Sequence, residues 1–223
     1  MAGRVLSLVI FDCDGVLVDS EPLVNRIEAA YFTELGAPMT AQEACAQFKG
    51  KTVEQVAAAL EARVGRRLPA EFGYDWAMTT ALGLVRELQP VAGIERLIER
   101  VRAANFAICV ASQSPLPRVR LSLRLTGLDR YFGENVFTAS MVASPKPAPD
   151  LFLFAAQRMG VPPEQAIVIE DSPSGVIAAR AAGMRVYGYA ADENAAALES
   201  AGACVFTSMD ELRFDRGFVQ DLA

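Results

Sequence analysis

The stretch Val5-Leu6-Ser7-Leu8-Val9-Ile10-Phe11-Asp12-Cys13-Asp14-Gly15 decides the fold. Its apolar run lacks a period-two alternation, as in a strand covered on both faces of a parallel sheet. The run then stops at two aspartates and a glycine. Asp12 and Asp14, two positions apart, project to one side if strand geometry persists through them, and Gly15 lets the chain turn sharply afterwards.

Working outward, similar runs occur at 106–111, 135–138, 167–169, 184–187 and 204–206, separated by helical patterns. Strands alternating with helices predict an α/β fold, a Rossmann-like doubly wound parallel sheet. From 20 to 89 that rhythm stops, and apolar residues recur at helix spacing in 23–35, 53–64 and 74–88. These residues are expected to form a helical cap domain (20–89) inserted into a core domain made of 1–19 and 90–223, with breakers such as Pro90 and Gly93 at one hinge. After the run at 167–169, Ser172 can N-cap a helix, Pro173 can open it and Gly183 can close it. Glu170 and Asp171 are thereby placed at the carboxyl end of a strand, the edge where ligands bind in open α/β sheets.

Composition narrows the chemistry. With 52% hydrophobic and 22% charged residues, the 223-residue chain is neither disordered nor membrane-like in composition. A net charge of -6 and no basic run argue against nucleic acid or a membrane surface as partner. Cys13, Cys45, Cys109 and Cys204 form no C-x-x-C pair, and the 5–11 run is too short for a signal core or a membrane span, so a cytoplasmic protein is expected. Histidine is absent, which removes Ser-His-Asp and Cys-His mechanisms and leaves proton transfer to carboxylates, lysine or metal-bound water.

An isolated D-x-D often only caps a helix or closes a turn. Two acidic pairs, Asp12/Asp14 and Glu170/Asp171, at separate strand ends of one sheet edge argue for more. Up to four carboxylates could then converge, and such a cluster cannot stay fully ionised in a cleft without a cation. Oxygen-only ligands with room for water and phosphate suit Mg²⁺. Ser112 and Gln113 follow another buried strand, and Ser114-Pro115 can start the next helix, whose N-terminus favours an anion. Lys146, stiffened within Ser144-Pro145-Lys146-Pro147, stands beyond a fourth strand end. Cys13 is expected to point into the core.

Read in order, Asp12-Cys13-Asp14-Gly15-Val16-Leu17-Val18-Asp19-Ser20-Glu21, Ala111-Ser112, Lys146-Pro147 and Glu170-Asp171-Ser172 resemble the four motifs of the haloacid-dehalogenase-like hydrolase superfamily. The helical insert resembles the C1-type cap of its sugar-phosphate phosphatase and β-phosphoglucomutase subgroup. The resemblance implies a Mg²⁺-dependent phosphatase acting on a small phosphorylated metabolite, such as a sugar or sugar-acid phosphate like 6-phosphogluconate, with the protein a monomer or weak homodimer. It implies Asp12 as nucleophile and Asp14 as general acid and base. Asp12, the Asp14 carbonyl and Asp171 would hold the metal, with Glu170 nearby or through water. Ser112, Lys146 and the backbone of Cys13 and Gln113 would bind the phosphoryl oxygens.

Phe48-Lys49-Gly50-Lys51 resembles the cap loop that reaches the active site in this subgroup. Lys49 either pairs with a substrate carboxylate or is a solvated lysine without a role. A mutase of this subgroup carries an arginine and a histidine where this chain has Val53 and Val24, which favours hydrolysis over isomerisation. Gly50-Lys51-Thr52 hints at a nucleotide-binding P-loop, but position 45 is Cys and no strand precedes it, so that fingerprint fails.

Overall fold

The computed structural model describes residues 6–48, 51–191, 194–215 and 218–220. The chain divides into two compact units, Met1–Val18 with Gln89–Ala223, and Asp19–Leu88. The first unit holds β1 (Leu8–Phe11), β2 (Ala107–Ser112), β3 (Val136–Thr138), β4 (Ala166–Glu170), β5 (Arg185–Tyr189) and β6 (Cys204–Phe206), all parallel, in the order β3-β2-β1-β4-β5-β6. A short antiparallel pair, β7 (Arg213–Asp215) and β8 (Phe218–Gln220), stands apart from that sheet. The helices are α1 (Glu21–Glu34), α2 (Ala41–Phe48), α3 (Val53–Val64), α4 (Phe72–Glu87), α5 (Ile94–Ala103), α6 (Leu116–Leu125), α7 (Asp129–Phe132), α8 (Asp150–Arg158), α9 (Pro173–Ala181) and α10 (Ala195–Ala201).

The unbroken apolar run of β1 follows from its central place in the sheet. Leu8 and Ile10 enter a core with Leu151, Phe152 and Ala155 of α8, while the Phe11 ring meets Phe132 of α7 edge-on at 5.9 Å. Both faces are covered, so polar alternation has no place there. Each large side chain so buried contributes about 1.5–3 kcal/mol. Register carries the strand ends to one level: Phe11 stands beside Val110 of β2 and Ile169 of β4, and the Asp12 N–H donates to the Ile169 carbonyl at 2.9 Å. Strand order reverses between β1 and β4, the switch point at which such sheets open a crevice.

The second unit is a helical cluster built on Phe32. Its ring meets Phe48 at 5.3 Å and Trp76 at 5.6 Å, both edge-on, and Trp76 stacks on Phe72 at 5.7 Å. Trp76 is therefore core, with its indole N–H donating to Glu28 at 3.2 Å, whereas Tyr74 is exposed. Thr52 closes a capping box with Gln55 at the start of α3, which accounts for the threonine of the Gly-Lys-Thr sequence without any nucleotide.

The six sheet strands lie where the apolar runs stood, with shifted ends: the strand expected over 5–11 begins only at Leu8. The helix α2 and the β7–β8 pair had no clear periodic signature. Three-residue strands offer too little alternation, and the eight residues of α2 are short and mostly small or polar.

Candidate active site

The carboxyl ends of β1, β2 and β4 and the loop after β3 bring Asp12, Ser112, Glu170 and Lys146 together, each at most 7% exposed. Lys146 is the centre of the cluster. Its ammonium donates to Asp12 Oδ1 at 2.5 Å, Glu170 Oε1 at 2.6 Å and the Ala111 carbonyl at 3.0 Å, and lies 4.8 Å over the Phe152 ring. All three donor hydrogens are thereby used, as burial of an ammonium demands.

Glu170 is anchored from the other side. Its Oε2 accepts from the N–H groups of Asp171 and Ser172 at 3.0 and 2.9 Å and from the Ser172 hydroxyl at 2.8 Å. Ser172 in turn N-caps α9 by accepting from the Gly175 N–H at 3.1 Å. Gly175 is required by this packing, because a Cβ there would overlap the Glu170 carboxylate. At the other acidic pair, Gly15 has φ +79° and faces the Asp171 carboxylate so closely that a Cβ would collide with Oδ2. The turn at Asp14–Gly15 and the Asp171 side chain are thus in contact across the gap between β1 and β4.

Burial pushes the Asp12 carboxyl up to about 7, with Lys146 opposing and Glu170 and Asp14 adding to the rise. Burial alone would pull the Lys146 ammonium down, but the two carboxylates outweigh it and hold its pKa above the ordinary lysine value. One cation therefore faces two buried carboxylates. Among the described residues no three His, Cys, Asp or Glu side chains form a metal cage. A magnesium ion needs only one or two carboxylates, with a carbonyl, waters and substrate phosphate completing its shell, so the hard oxygen donors of Asp12, Asp171 and the adjoining turn suit it. Three of the four hydrogen bonds to Glu170 fill its Oε2 and the fourth ties Oε1 to Lys146.

Ser112 ends β2, where its hydroxyl oxygen accepts from the Ser114 N–H at 3.1 Å, which leaves its own O–H to donate. Gln113 follows it in the turn before α6. Cys13 is buried, and burial, then Asp14 and Asp12, hold its thiol well above the ordinary value, which disfavours the thiolate. Lys49 lies outside the described residues. Two contacts were not assigned from the sequence: Ser114 Oγ donates to Asp14 Oδ2 at 2.6 Å, and Arg118 Nη2 lies 3.5 Å from Asp14 Oδ1. Ser before Pro reads as ordinary capping, and an arginine one turn into a helix reads as solvated.

Known proteins resemble the chain over nearly its whole length. The chain is 28% identical over 208 residues to the 6-phosphogluconate phosphatase of Escherichia coli, covering 93% of each chain. It is 30% identical over 213 residues to a phosphorylated carbohydrates phosphatase of Thermotoga maritima, covering 93% of this chain and 96% of that one. A crystal structure of a HAD family hydrolase from Deinococcus radiodurans with bound phosphate and sodium superposes with a TM-score of 0.82 at 32% identity, over 93% of both chains. Residues 6–183 match the haloacid dehalogenase-like hydrolase family, and the chain belongs to it.

Proposed function

We propose that this protein is a Mg²⁺-dependent phosphatase that hydrolyses a small sugar or sugar-acid phosphate through an aspartyl-phosphate on Asp12. The observation that carries this reading is the buried bridge from Asp12 through Lys146 to Glu170, set at the switch point of the sheet beside the contact between Asp171 and the Asp14–Gly15 turn. A carboxylate fixed at one oxygen by a lysine is held for in-line attack on phosphorus, while the same ammonium can share its charge with the phosphoryl oxygens. Ser112 and the N–H groups of Cys13 and Gln113 supply further donors at the same level. Asp14 gives a proton to the departing alcohol oxygen, then takes one from the water that attacks the aspartyl-phosphate, so that Asp12 and inorganic phosphate are released.

Asp12, the Asp14 carbonyl and Asp171 would hold Mg²⁺, which when bound offsets the repulsion between carboxylate and phosphate. Glu170 serves here as the anchor of Lys146 and reaches the metal through water at most. Residues 20–89 act as a cap that sets substrate choice. Two of the relatives named above are a 6-phosphogluconate phosphatase and a phosphorylated carbohydrates phosphatase, which supports that substrate class.

The test is phosphate release from a panel of 6-phosphogluconate, hexose phosphates, hexitol phosphates, phosphoglycolate and nucleotides, with Mg²⁺ and with chelator. Release is expected to require the metal and to fall at least about a thousand-fold in Asp12→Asn, as loss of a nucleophile does elsewhere. Phosphate moved within β-glucose 1-phosphate, without release from any ester, would identify a mutase and overturn hydrolysis.

A further inference from the structure

We infer that Ser114 and Arg118 are positioning residues that hold Asp14 at the place where it protonates the leaving alcohol. The inference rests on the phosphatase reading of the Asp12 site and adds to it the device that fixes the acid. Both residues belong to the segment that opens α6, and each faces one oxygen of Asp14. The Ser114 hydroxyl donates to Oδ2 at 2.6 Å, and the Arg118 guanidinium stands 3.5 Å from Oδ1. A carboxyl group that accepts at one oxygen and faces a cation at the other is held in one orientation, which is what a group with a single target needs.

The helix α6 opens on Pro115 without a side-chain cap and has no acidic residue in its first turn. A cation one turn from a helix N-terminus opposes the helix dipole, at a cost of about 0.3–1 kcal/mol. Asp14, contributed by the β1 turn, supplies the missing anion. Arg118 Nε is buried without a hydrogen-bond partner among the described residues, and Nη2 is the nitrogen that faces Asp14. Ser114 also links two parts of the site, because its N–H donates to Ser112 Oγ while its hydroxyl donates to Asp14. The phosphoryl-binding hydroxyl and the proton-handling carboxylate are therefore spaced by one residue.

A positioning role predicts a loss that depends on the leaving group. An alkoxide must be protonated as it departs, whereas p-nitrophenolate leaves without help. Ser114→Ala and Arg118→Ala are compared with wild type by kcat/KM, with saturating Mg²⁺, on p-nitrophenyl phosphate and on the alkyl phosphate of the panel that wild type turns over fastest. That ratio covers only the steps up to alcohol release and so isolates the first proton transfer. Each variant is expected to lose about ten-fold or more on the alkyl ester, a part of what a general acid contributes, and less than about three-fold on the aryl ester. Ser114→Thr, which keeps the hydroxyl, should recover the alkyl activity. Equal losses on the two esters, or none, in both alanine variants would overturn the positioning role while leaving the phosphatase reading intact. Failure of wild type to release phosphate from either ester would overturn the reading beneath it, and the inference with it.

Discussion

Lys146 separates two carboxylates that could not otherwise share a buried space. With its ammonium 2.5 Å from Asp12 and 2.6 Å from Glu170, its removal leaves two buried carboxylates facing each other without a cation between them. Lys146→Met keeps the length of the stem and deletes the charge. It should destabilise the protein by about 3–5 kcal/mol, the cost of breaking a buried pair from one side, and lower phosphate release by about 10²–10³-fold. The two effects separate in Lys146→Met/Glu170→Gln, where one of the stranded charges is gone. Thermal melting should recover most of the lost stability, while phosphate release stays low. Recovery of both would mean that the lysine serves only the fold. The sequence made Lys146 visible because two prolines flank it beyond a strand end. It hid Ser114 and Arg118, because nothing in the order of residues says that the first turn of α6 faces the turn after β1.

At the scale of elements, the helix α9 ties the fold to the site. Ser172 caps it and also donates to Glu170, so helix start and Lys146 anchor are one structure. Gly175, in the first turn, leaves the space that the Glu170 carboxylate fills. Because four hydrogen bonds pin that carboxylate, it cannot swing aside for a methyl group. Gly175→Ala is expected to cost about 1–3 kcal/mol as an overpacked site and to lower phosphate release at least about ten-fold by displacing Glu170 and with it Lys146. Gly183, just past the same helix, is the control. Its φ of +75° strains any side chain, but beyond its chain neighbours nothing lies within 4 Å of a Cβ there. Gly183→Ala should therefore cost about 1 kcal/mol and leave turnover unchanged, a contrast read by denaturant unfolding and phosphate release on the same samples. This part of the fold was legible in advance, because Ser-Pro and Gly are helix punctuation with a mechanism. The β7–β8 pair was not, since its stability comes from packing such as Phe214 against Phe106 at 5.4 Å and not from any local pattern.

At the scale of the molecule, all of the described candidate chemistry resides in the unit formed by Met1–Val18 and Gln89–Ala223, whose core converges on a site with unbalanced charge. Asp12 and Glu170 share the ammonium of Lys146, and burial already drives Asp12 toward its neutral form. The fold thus holds a local repulsion that a divalent cation would relieve, and the stability of the protein should depend on metal even when no substrate is present. Mg²⁺ at about ten to a hundred times its Kd would add about 1.4–2.7 kcal/mol by mass action, which for a chain of this size is a rise in Tm of about 3–10 °C. Asp12→Asn removes one anion from the cluster and keeps an acceptor for Lys146. Its Tm in chelator should equal or exceed that of wild type, and its rise with Mg²⁺ should be less than half as large. Differential scanning calorimetry on both proteins, with chelator and with Mg²⁺, reads this without any turnover. A wild-type Tm that does not respond to Mg²⁺, or an equal response in Asp12→Asn, would mean that Asp12 does not hold the metal, and the charge balance of the site would then have to be met by the phosphate-binding donors alone.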